Sequence, residues 1–257
     1  MTSSAGRVIE IWRYPVKSML GERLDAVALT PRGVEHDREL AVADPASGSV
    51  ISAKRTAALF GFRARHVQLD PPVRVEAPDG AVLPAPSVEL DRRLSAALGR
   101  TVTIVAQDGG RRPHIEMAAS SATTEGPSTH FDGASGTFFD SAPIHLLTTA
   151  TLTTFSGLVA GADFDARRFR PNLVVDGGGD GFVEERWVGR RVAVGDAVLQ
   201  ILKPCSRCVM VTHAQAELAG DRRVLGAVAR HNDAHAGVLA EVERPGRVRS
   251  GADVVLL

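Results

Sequence analysis

The stretch Gly189-Arg-Arg-Val-Ala-Val-Gly-Asp-Ala-Val-Leu199 decides the fold class of this 257-residue chain. Valines that alternate on either side of a Gly-Asp pair are typical of two short strands joined by a tight turn. A second stretch, Gly246-Arg-Val-Arg-Ser-Gly-Ala-Asp-Val-Val-Leu256, has a similar arrangement. Both resemble glycine-bounded strand pairs that close a small barrel, and two copies do not make a solenoid repeat.

Most of the remaining chain consists of short runs rich in Val, Ile and Leu that are interrupted by Gly, Pro and Asp, which is typical of strands. Predicted strands cover residues 8–12, 23–29, 39–43, 49–52, 63–69, 73–77, 82–84, 101–106, 144–148, 172–176, 192–194, 198–202, 209–212, 238–242 and 248–257. Helical spacing of apolar residues is found at 87–99, 150–158 and 221–229, and in the first of these Ser87 can cap the helix and Gly99 can end it. We therefore expect a mostly β (α+β) and barrel-like fold with a few packed helices.

Residues 107–142 are rich in Gly, Ser, Thr, His and Asp and have no apolar periodicity. An aperiodic stretch of this length is usually a functional loop or a linker. Because two domains of roughly 100–150 residues fit the chain length, we place a domain boundary near the start of this stretch. The predicted domains are 1–110 and 111–257.

The composition limits the classes of function. Lys and Arg number 30, Asp and Glu number 30, and the formal net charge is zero. That balance argues against a nucleic-acid or anionic-membrane binder, which needs a net basic face. No apolar run is long enough to span a bilayer and no apolar leader is evident. With two cysteines, too few for a disulfide scaffold, we expect a cytoplasmic protein.

The segment Lys203-Pro-Cys-Ser-Arg-Cys208 has several possible functions. A Cys-x-x-Cys pair can be half of a zinc site, a redox dithiol, a pair of inert core residues, or one soft-metal ligand with an accessory neighbour. In the last interpretation, Lys203 and Arg207 favour the thiolate, which is the form that binds metal.

Three other segments could bind an anion. Arg167-Arg-Phe-Arg-Pro-Asn172 is either a solvated strand end or a clamp, in which Arg168 and Arg170 share a face if the backbone is extended. Tyr14-Pro-Val-Lys17-Ser18 offers an ammonium group and a hydroxyl group, although 27 of the 30 basic residues are arginines, an imbalance best explained by genome composition. Thr148 and Thr149 lie at a strand-to-helix junction and could bind an anion or merely cap the helix. Together with a thiolate, these donors suit a phosphorylated metal cofactor.

The order of motifs along the chain resembles the MOSC-domain proteins, in particular the type that includes the mitochondrial amidoxime-reducing component and its bacterial relatives. The matching segments are 14–18, Arg32-Gly-Val-Glu-His-Asp-Arg38, Phe139-Asp-Ser-Ala-Pro-Ile-His-Leu-Leu-Thr-Thr149, 168–172, Trp187-Val-Gly189 and 204–208. The resemblance implies two β-barrel-like domains, an N-terminal MOSC-associated β-barrel domain followed by a MOSC domain.

The same resemblance implies a molybdenum cofactor, Mo-molybdopterin. Cys208, the second cysteine of the pair, would be the metal ligand and the catalytic residue. The positions that would hold the pterin and its phosphate are Lys17, Ser18, Arg38, Thr148, Thr149, Arg170 and Asn172. Arg168, from the possible anion-binding segment 167–172, is added to them. A thiolate completes a soft coordination shell around molybdenum.

The implied activity is reduction of small N-hydroxylated compounds (amidoximes, hydroxylamines and N-hydroxylated bases) to amines or amidines. A plant-type [2Fe–2S] cluster needs four cysteines, so the electrons would come from a separate protein, ferredoxin-like or a flavin reductase. Alternatives are persulfide sulfur transfer, a non-catalytic cofactor carrier or sensor, and a zinc-bound barrel. His36, His145 and His213 could each donate protons or be ordinary hydrogen-bonded histidines.

Overall fold

The computed structural model describes residues 2–107, 112–118, 128–133 and 136–257. The strands of these described residues are β1 (Ser3–Arg13), β2 (Glu22–Leu24), β3 (Ala26–Thr30), β4 (Gly33–Val34), β5 (Leu40–Ala43), β6 (Arg63–His66), β7 (Val73–Glu76), β8 (Val82–Ala85), β9 (Thr103–Ala106), β10 (His114–Ala118), β11 (Ser128–Asp132), β12 (Ile144–Thr148), β13 (Leu173–Asp176), β14 (Arg191–Val194), β15 (Ala197–Ser206), β16 (His235–Arg244), β17 (Gly246–Arg249) and β18 (Asp253–Leu256). The α-helices are α1 (Val88–Leu98), α2 (Thr149–Leu158), α3 (Ala166–Phe169) and α4 (Arg222–His231). Single 3-10 turns lie at Ala57–Gly61, Val183–Trp187 and Val209–Thr212. The predicted mostly β fold with a few helices is confirmed.

Seven strands form a closed barrel in the order β1-β13-β12-β16-β15-β14-β18, and β18 pairs with β1 to complete the circle. The neighbours are antiparallel except β12 and β13. The stretch 189–199 supplies the β14–β15 hairpin, and Gly195 in its turn has a φ of +55°. A Cβ at Gly195 would lie 2.8 Å from the carbonyl oxygen of Arg247, so glycine also lets the two similar stretches touch.

The barrel interior is filled by aliphatic side chains that are withdrawn from water. They include Val8, Ile11, Leu146, Leu199, Val238 and Ala240, each 0 % exposed. Such burial removes apolar area from water along every strand and is the main favourable term in folding. The first strand of the chain therefore belongs to the same core as strands from its C-terminal half.

A second core lies among the N-terminal residues, where β5 pairs with β9 and β6, β7 and β8 form a small sheet. Helix α1 covers this core with Leu90 and Leu94, which pack with Phe62 and Val75. As the sequence predicts, the Ser87 hydroxyl caps α1 by accepting a hydrogen bond from the Leu90 amide at 3.3 Å, and Gly99 ends it in the left-handed conformation.

Two predicted elements differ from the structure near Cys208. Residues 209–212 were expected to form a strand, and this prediction is wrong, because they form a 3-10 turn whose Val211 packs with Val224 and Val228. Strand β15 runs four residues beyond the predicted end at 202, since irregular pairing with β16 continues through Pro204 to Ser206. The extra length carries Cys205 onto a barrel strand.

Strand pairing crosses the predicted boundary near residue 110, because β1 joins the barrel and β3 pairs with β17. The division into domains 1–110 and 111–257 stays a prediction. No helix in the described parts of the chain is long and apolar enough to cross a membrane.

Candidate functional site

A cavity of about 560 Å³ opens where the N-terminal loops meet the rim of the barrel. Residues from β12, β15 and β16 form one wall, and loops after β1, β4 and β5 form the other. Six predicted site residues line this cavity: Lys17, Ser18, Arg38, Arg170, Asn172 and Cys208. The structure thus brings together side chains that are up to 191 positions apart in the chain.

The cavity concentrates positive charge in a protein whose net charge is zero. All three lysines of the chain, Lys17, Lys54 and Lys203, line it, together with Arg38, Arg170 and Arg207. Asp140 is the one carboxylate among the described lining residues. A cleft with this excess of cations attracts anions. The rarity of lysine is explained above by genome composition, yet all three of the compact ammonium groups lie at this one site.

Tyr14 organises two of the arginines. The guanidinium groups of Arg38 and Arg170 lie 4.7 and 4.2 Å from the centroid of its ring, within cation–π range. Burial raises the pKa of Tyr14 despite these charges, so the phenol remains neutral and donates to the carbonyl oxygen of Pro171 at 3.2 Å.

Arg170 has the clearest unused binding capacity. Its Nη1 donates to the carbonyl oxygen of Met19 at 2.6 Å, whereas its buried Nη2 has no hydrogen-bond partner among the described residues. Burial lowers the pKa of Arg170 to about 10, which still leaves it charged at neutral pH. A buried guanidinium nitrogen without a partner is unfavourable, and a bound anion whose oxygen reached Nη2 would satisfy it.

The backbone is strained at several of these positions. Ser18, Arg38 and Arg170 have φ values of +66°, +53° and +54°, in the left-handed region that non-glycine residues rarely adopt. Ala234, which also lines the cavity, has a φ of +60°. Such conformations persist where the surrounding structure enforces them, and they cluster at functional sites.

Arg168, a predicted cofactor-binding residue, lies outside the cavity. Its side chain is 1 % exposed and donates to the carbonyl oxygens of Asp163 at 2.8 Å, Ala219 at 2.7 Å and His213 at 3.3 Å. The expectation that it shares a face with Arg170 fails because the segment is not extended: α3 ends at Phe169 and Arg170 is left-handed. Arg168 therefore holds loops together.

Thr148 and Thr149 also lie outside the cavity lining. The Thr148 hydroxyl caps α2 by accepting from the Thr151 amide at 3.2 Å, and it donates to Glu184 at 2.6 Å. The Thr149 hydroxyl donates to Asp176 at 2.9 Å. Helix capping, the second interpretation of this junction, accounts for these contacts, and the structure does not place either threonine with the other predicted residues.

Asn172 fixes the relative positions of the two halves of the cavity. Its Nδ2 donates to Asp37 at 3.1 Å, and its Oδ1 accepts from the backbone amide of His145 at 3.1 Å. Asp37 in turn accepts from the Tyr14 amide at 2.7 Å and from Arg38. The buried amide thus links β12 to the loops that carry Tyr14 and Arg38.

Lys17 and Lys54 share one carboxylate. Lys17 Nζ donates to the carbonyl oxygen of Phe138 at 2.6 Å and to Asp140 Oδ1, and Lys54 Nζ lies 2.7 Å from Asp140 Oδ2. Partial withdrawal from water opposes ionisation, but the two ammonium charges hold the pKa of Asp140 well below its usual range. Lys54 and Asp140 are not among the site residues predicted from the sequence. The rarity of lysine was the signal that could have indicated Lys54.

The two cysteines occupy different environments. Cys205 is buried on β15, 2.9 Å from Arg207 Nη1, whereas Cys208 is partly exposed at the start of a 3-10 turn. Burial opposes ionisation of the Cys205 thiol, but His145 and Arg207 together lower its pKa to about 6. No cluster of three or more His, Cys, Asp or Glu side chains that could hold a metal ion occurs in the described residues. A four-ligand zinc site is therefore not assembled there.

Of the three histidines that could donate protons, one lines the cavity and two do not. His145 lines the cavity, with Nε2 3.1 Å from the carbonyl oxygen of Ala236. His36 stacks on His66 with a centroid separation of 3.9 Å and is not part of the lining. His213 packs near Phe60, also outside the lining, and burial lowers its pKa.

The described residues fit a phosphorylated cofactor that binds metal through sulfur. The excess of cations suits a phosphate, as does Nη2 of Arg170, for which these residues provide no partner, and Cys208 supplies a thiol in the same cavity. The volume is within the range of small-molecule and cofactor pockets, which is roughly 300–1,000 Å³.

Comparison with known proteins gives matches over both halves of the chain. A family model for the MOSC N-terminal beta barrel domain matches residues 5–119, and one for the MOSC domain matches residues 133–255. A search of curated proteins finds no match.

Solved structures of similar proteins include the YUAD protein from Bacillus subtilis, which is 13% identical over 100% of this chain and 96% of its own, with a TM-score of 0.47. YiiM proteins from Geobacillus stearothermophilus and Escherichia coli are 20% and 22% identical, each over 45% of this chain and 54% of its own, with TM-scores of 0.34.

The MOSC domain is similar to the C-terminal domain of molybdenum-cofactor sulfurases and is associated in general with binding of that cofactor. The family also includes oxidoreductase-type proteins. Since the two family models together account for nearly all of the chain, this protein belongs to the MOSC-domain proteins that carry an N-terminal MOSC β-barrel domain.

Proposed function

We propose that this protein binds a molybdenum cofactor in the cavity and reduces N-hydroxylated compounds (amidoximes, hydroxylamines and N-hydroxylated bases) to amidines or amines. One observation carries the proposal: a partly exposed thiol, Cys208, shares a cavity with six cationic side chains, one of which, Arg170, has a buried nitrogen that finds no partner in the described part of the chain. That combination suits a ligand with a soft metal at one end and a phosphate at the other.

Different residues would bind the metal and the pterin phosphate of the cofactor. Cys208 would ligate molybdenum, and Lys17, Ser18, Arg38 and Arg170 would hold the phosphate and the pterin. When bound, the cofactor supplies the two electrons of the reduction. Reduction of a hydroxylamine consumes two electrons and two protons, R–NHOH + 2e⁻ + 2H⁺ → R–NH₂ + H₂O, so the site must also deliver protons.

The surrounding side chains hold the donors of the cavity in position before any substrate binds. Asn172 and Asp37 fix Arg38, and Tyr14 holds Arg38 and Arg170 together, so these donors lose little freedom on binding. Among the three histidines considered, His145 is the one that lines the cavity and is therefore our candidate for holding a proton near the reacting group.

The electrons would come from another protein. A plant-type iron–sulfur cluster needs four cysteines and this chain has two, one of which is assigned here to molybdenum. We infer a ferredoxin-like protein or a flavin reductase as donor, docking where the cavity opens.

Persulfide transfer is the second candidate, and the environment of Cys205 favours it. A thiol whose pKa is about 6 is largely ionised at neutral pH, and the thiolate is the nucleophile in sulfur transfer. In this alternative, Cys205 or Cys208 would attack the outer sulfur of a donor persulfide, R–S–SH, and carry that sulfur as Cys–S–SH, while the donor leaves as the thiolate R–S⁻. Detection of a persulfide by mass spectrometry of protein without molybdenum would support it.

The first test is the metal content of protein purified anaerobically from a host that makes the cofactor. We expect molybdenum to approach one atom per chain in the wild type and to be lost in Cys208→Ser. Cys205→Ser is the matched control, because it makes the same chemical change three residues away, and it should retain much of the molybdenum.

Equal molybdenum in the two serine variants would refute the assignment of Cys208. Wild-type protein without molybdenum would refute the cofactor itself and turn attention to sulfur transfer. Zinc measured on the same samples tests the zinc-bound alternative.

A further inference from the structure

Asp140 lies between the two ammonium groups of Lys17 and Lys54 and accepts from both, one on each carboxylate oxygen. The two lysine side chains are 7 % and 14 % exposed, whereas that of Asp140 is 40 % exposed. The carboxylate therefore approaches a mostly buried pair of cations from the open side of the cavity. That is the side from which a soluble anion would also approach.

The segment that carries Asp140 has no helix or strand. Residues 136–143 precede β12, and both Nζ contacts of Lys17, the Phe138 carbonyl and the Asp140 carboxylate, belong to this segment. Lys54 is brought from the opposite side by the loop after β5, where the Ala53 amide donates to the Ser18 hydroxyl at 3.1 Å. All three residues are thus on loops, but the backbone next to each lysine is hydrogen-bonded to another part of the chain, Lys17 N to the Leu40 carbonyl oxygen at 2.8 Å and Ala53 N to the Ser18 hydroxyl.

The carboxylate charge also acts on one further cation of the cavity, Arg170. That charge opposes the desolvation of Arg170, whose Nη2 has no partner among the described residues. A phosphate ester carries more acceptor oxygens than a carboxylate, so it could satisfy both lysines and Arg170 at once. Among the described residues, Asp140 accepts hydrogen bonds from the two lysines and not from Arg170.

We propose that Asp140 and the phosphate group of the ligand compete for the same ammonium groups, so that Lys17, Lys54 and Asp140 form an exchange clamp for a phosphate monoester. Lys54 is then a phosphate-binding residue, and Asp140 is an internal competitor that limits the affinity and favours release. The clamp rests on the proposed function only for the identity of the ligand that carries the phosphate.

The test titrates inorganic phosphate into cofactor-free protein at constant ionic strength, with binding followed by calorimetry and by the shift in melting temperature. Replacing Asp140 with asparagine removes the competing charge and leaves the shape of the side chain. We expect Asp140→Asn to bind phosphate about tenfold more tightly than the wild type, since loss of one charge-assisted competitor is typically worth a factor of this size.

Asp253→Asn is the matched control. Asp253 is an exposed acid on β18 that pairs with Arg7, away from the cavity lining, so the variant makes the same change in net charge. Its affinity for phosphate should equal that of the wild type. If Asp140→Asn binds phosphate no more tightly than the wild type, or if Asp253→Asn gains as much, the clamp is refuted.

Lys54→Gln gives a second, independent test that remains if Asp140→Asn does not fold. It keeps the Lys17–Asp140 pair and removes one ammonium group, so phosphate should bind about tenfold more weakly. Unchanged affinity in Lys54→Gln would overturn the role of Lys54.

Molybdenum measured on the same variants separates this inference from the proposed function. Tighter phosphate binding by Asp140→Asn in a protein that never acquires molybdenum would support the clamp and refute the cofactor. Normal molybdenum content together with unchanged phosphate binding would do the reverse.

Discussion

Arg168 and Arg170 are two residues apart, and the structure gives them different tasks. Arg168 donates to three backbone carbonyls, whereas Arg170, which lines the cavity, has one carbonyl partner and a buried nitrogen, Nη2, with no partner among the described residues. The turn of α3 and the left-handed backbone of Arg170 separate the two side chains. Arg168 therefore stabilises the fold, and Arg170 belongs to the candidate site.

A pair of lysine substitutions tests this division. Lysine keeps the charge but cannot reproduce the planar fork of donors. Arg170→Lys should weaken phosphate binding by roughly tenfold to a hundredfold, because a charge-assisted contact of about 1.5–3 kcal/mol is lost. Arg168→Lys should lower the melting temperature and leave phosphate affinity unchanged. Calorimetry of both variants with inorganic phosphate measures the two effects.

The reverse pattern, with phosphate affinity reduced by Arg168→Lys and not by Arg170→Lys, would return Arg168 to the binding site. A loss of affinity in both variants that follows their loss of stability would indicate a general loosening of the loop, and the assignment of separate tasks would then be wrong.

Sequence reasoning predicted the site in part, for physical reasons that differ from residue to residue. Lys17 and Ser18 were named as a possible anion site from a short motif, whereas Cys208 was singled out by the family resemblance, since the Cys-x-x-Cys pair by itself left several functions open. Lys54 and Asp140 were missed because nothing local to either residue indicates that a loop after β5 and a loop before β12 meet. Positive φ values at Ser18 and Arg38 were equally inaccessible, since they arise from long-range contacts.

At the scale of elements, the N-terminus of α2 has an unusual partner. Glu184 is 0 % exposed and accepts from the hydroxyls of Thr148 at 2.6 Å and Thr151 at 2.8 Å. Burial raises the pKa of this carboxyl group, although the threonine hydrogen bonds act against the rise. The folded protein therefore favours the neutral acid more than the unfolded chain does.

This raised pKa has a definite consequence for stability. Because the folded pKa lies above the unfolded value, the contribution of Glu184 is fully present below the unfolded pKa and is lost as the pH rises through the folded pKa. Glu184→Gln removes the ionisation. Relative to the wild type, the variant should therefore gain free energy of unfolding as the pH rises from the ordinary glutamate pKa through the folded pKa, by about 1.4 kcal/mol for each unit by which the pKa is raised.

Urea denaturation of both proteins across that pH range measures the effect. Glu185→Gln makes the same change at a neighbouring, partly exposed side chain and controls for simple loss of a negative charge. If Glu184→Gln follows the same pH dependence as the wild type, burial does not control this carboxyl group.

Helix ends were more predictable than the segment around the cysteines. The Ser87 and Gly99 caps of α1 were correctly identified, since capping depends on residues a few positions apart. The 3-10 turn at 209–212 was mistaken for a strand because its β-branched residues favour strands, whereas contacts with α4 determine its conformation.

At the scale of the whole molecule, the two halves of the chain are interwoven. Strand β1 lies between β13 and β18 in the barrel, and the cavity takes Lys17, Arg38 and Lys54 from the N-terminal half and Arg170 and Cys208 from the C-terminal half. The alternating pattern predicted the strands, but pairing partners far apart in the chain leave no local signal. The barrel class could be read from the sequence, whereas its exact strand order could not.

The proposed electron donor is a prediction at the scale of the whole molecule, because a cluster could draw on cysteines from any part of these 257 residues. With two cysteines, of which one is assigned to molybdenum, these 257 residues cannot build a four-cysteine cluster.

We expect molybdenum-loaded protein mixed with NADH and a benzamidoxime to form no amidine. Addition of a flavin reductase with a ferredoxin-like protein should then start turnover. Amidine measured by chromatography gives the rate, and Cys208→Ser with the same donors is the control. Turnover by the loaded chain with NADH alone would show that a separate donor is unnecessary. If a chemical reductant such as reduced methyl viologen also gave no amidine in loaded wild type, the reductase proposal itself would be wrong.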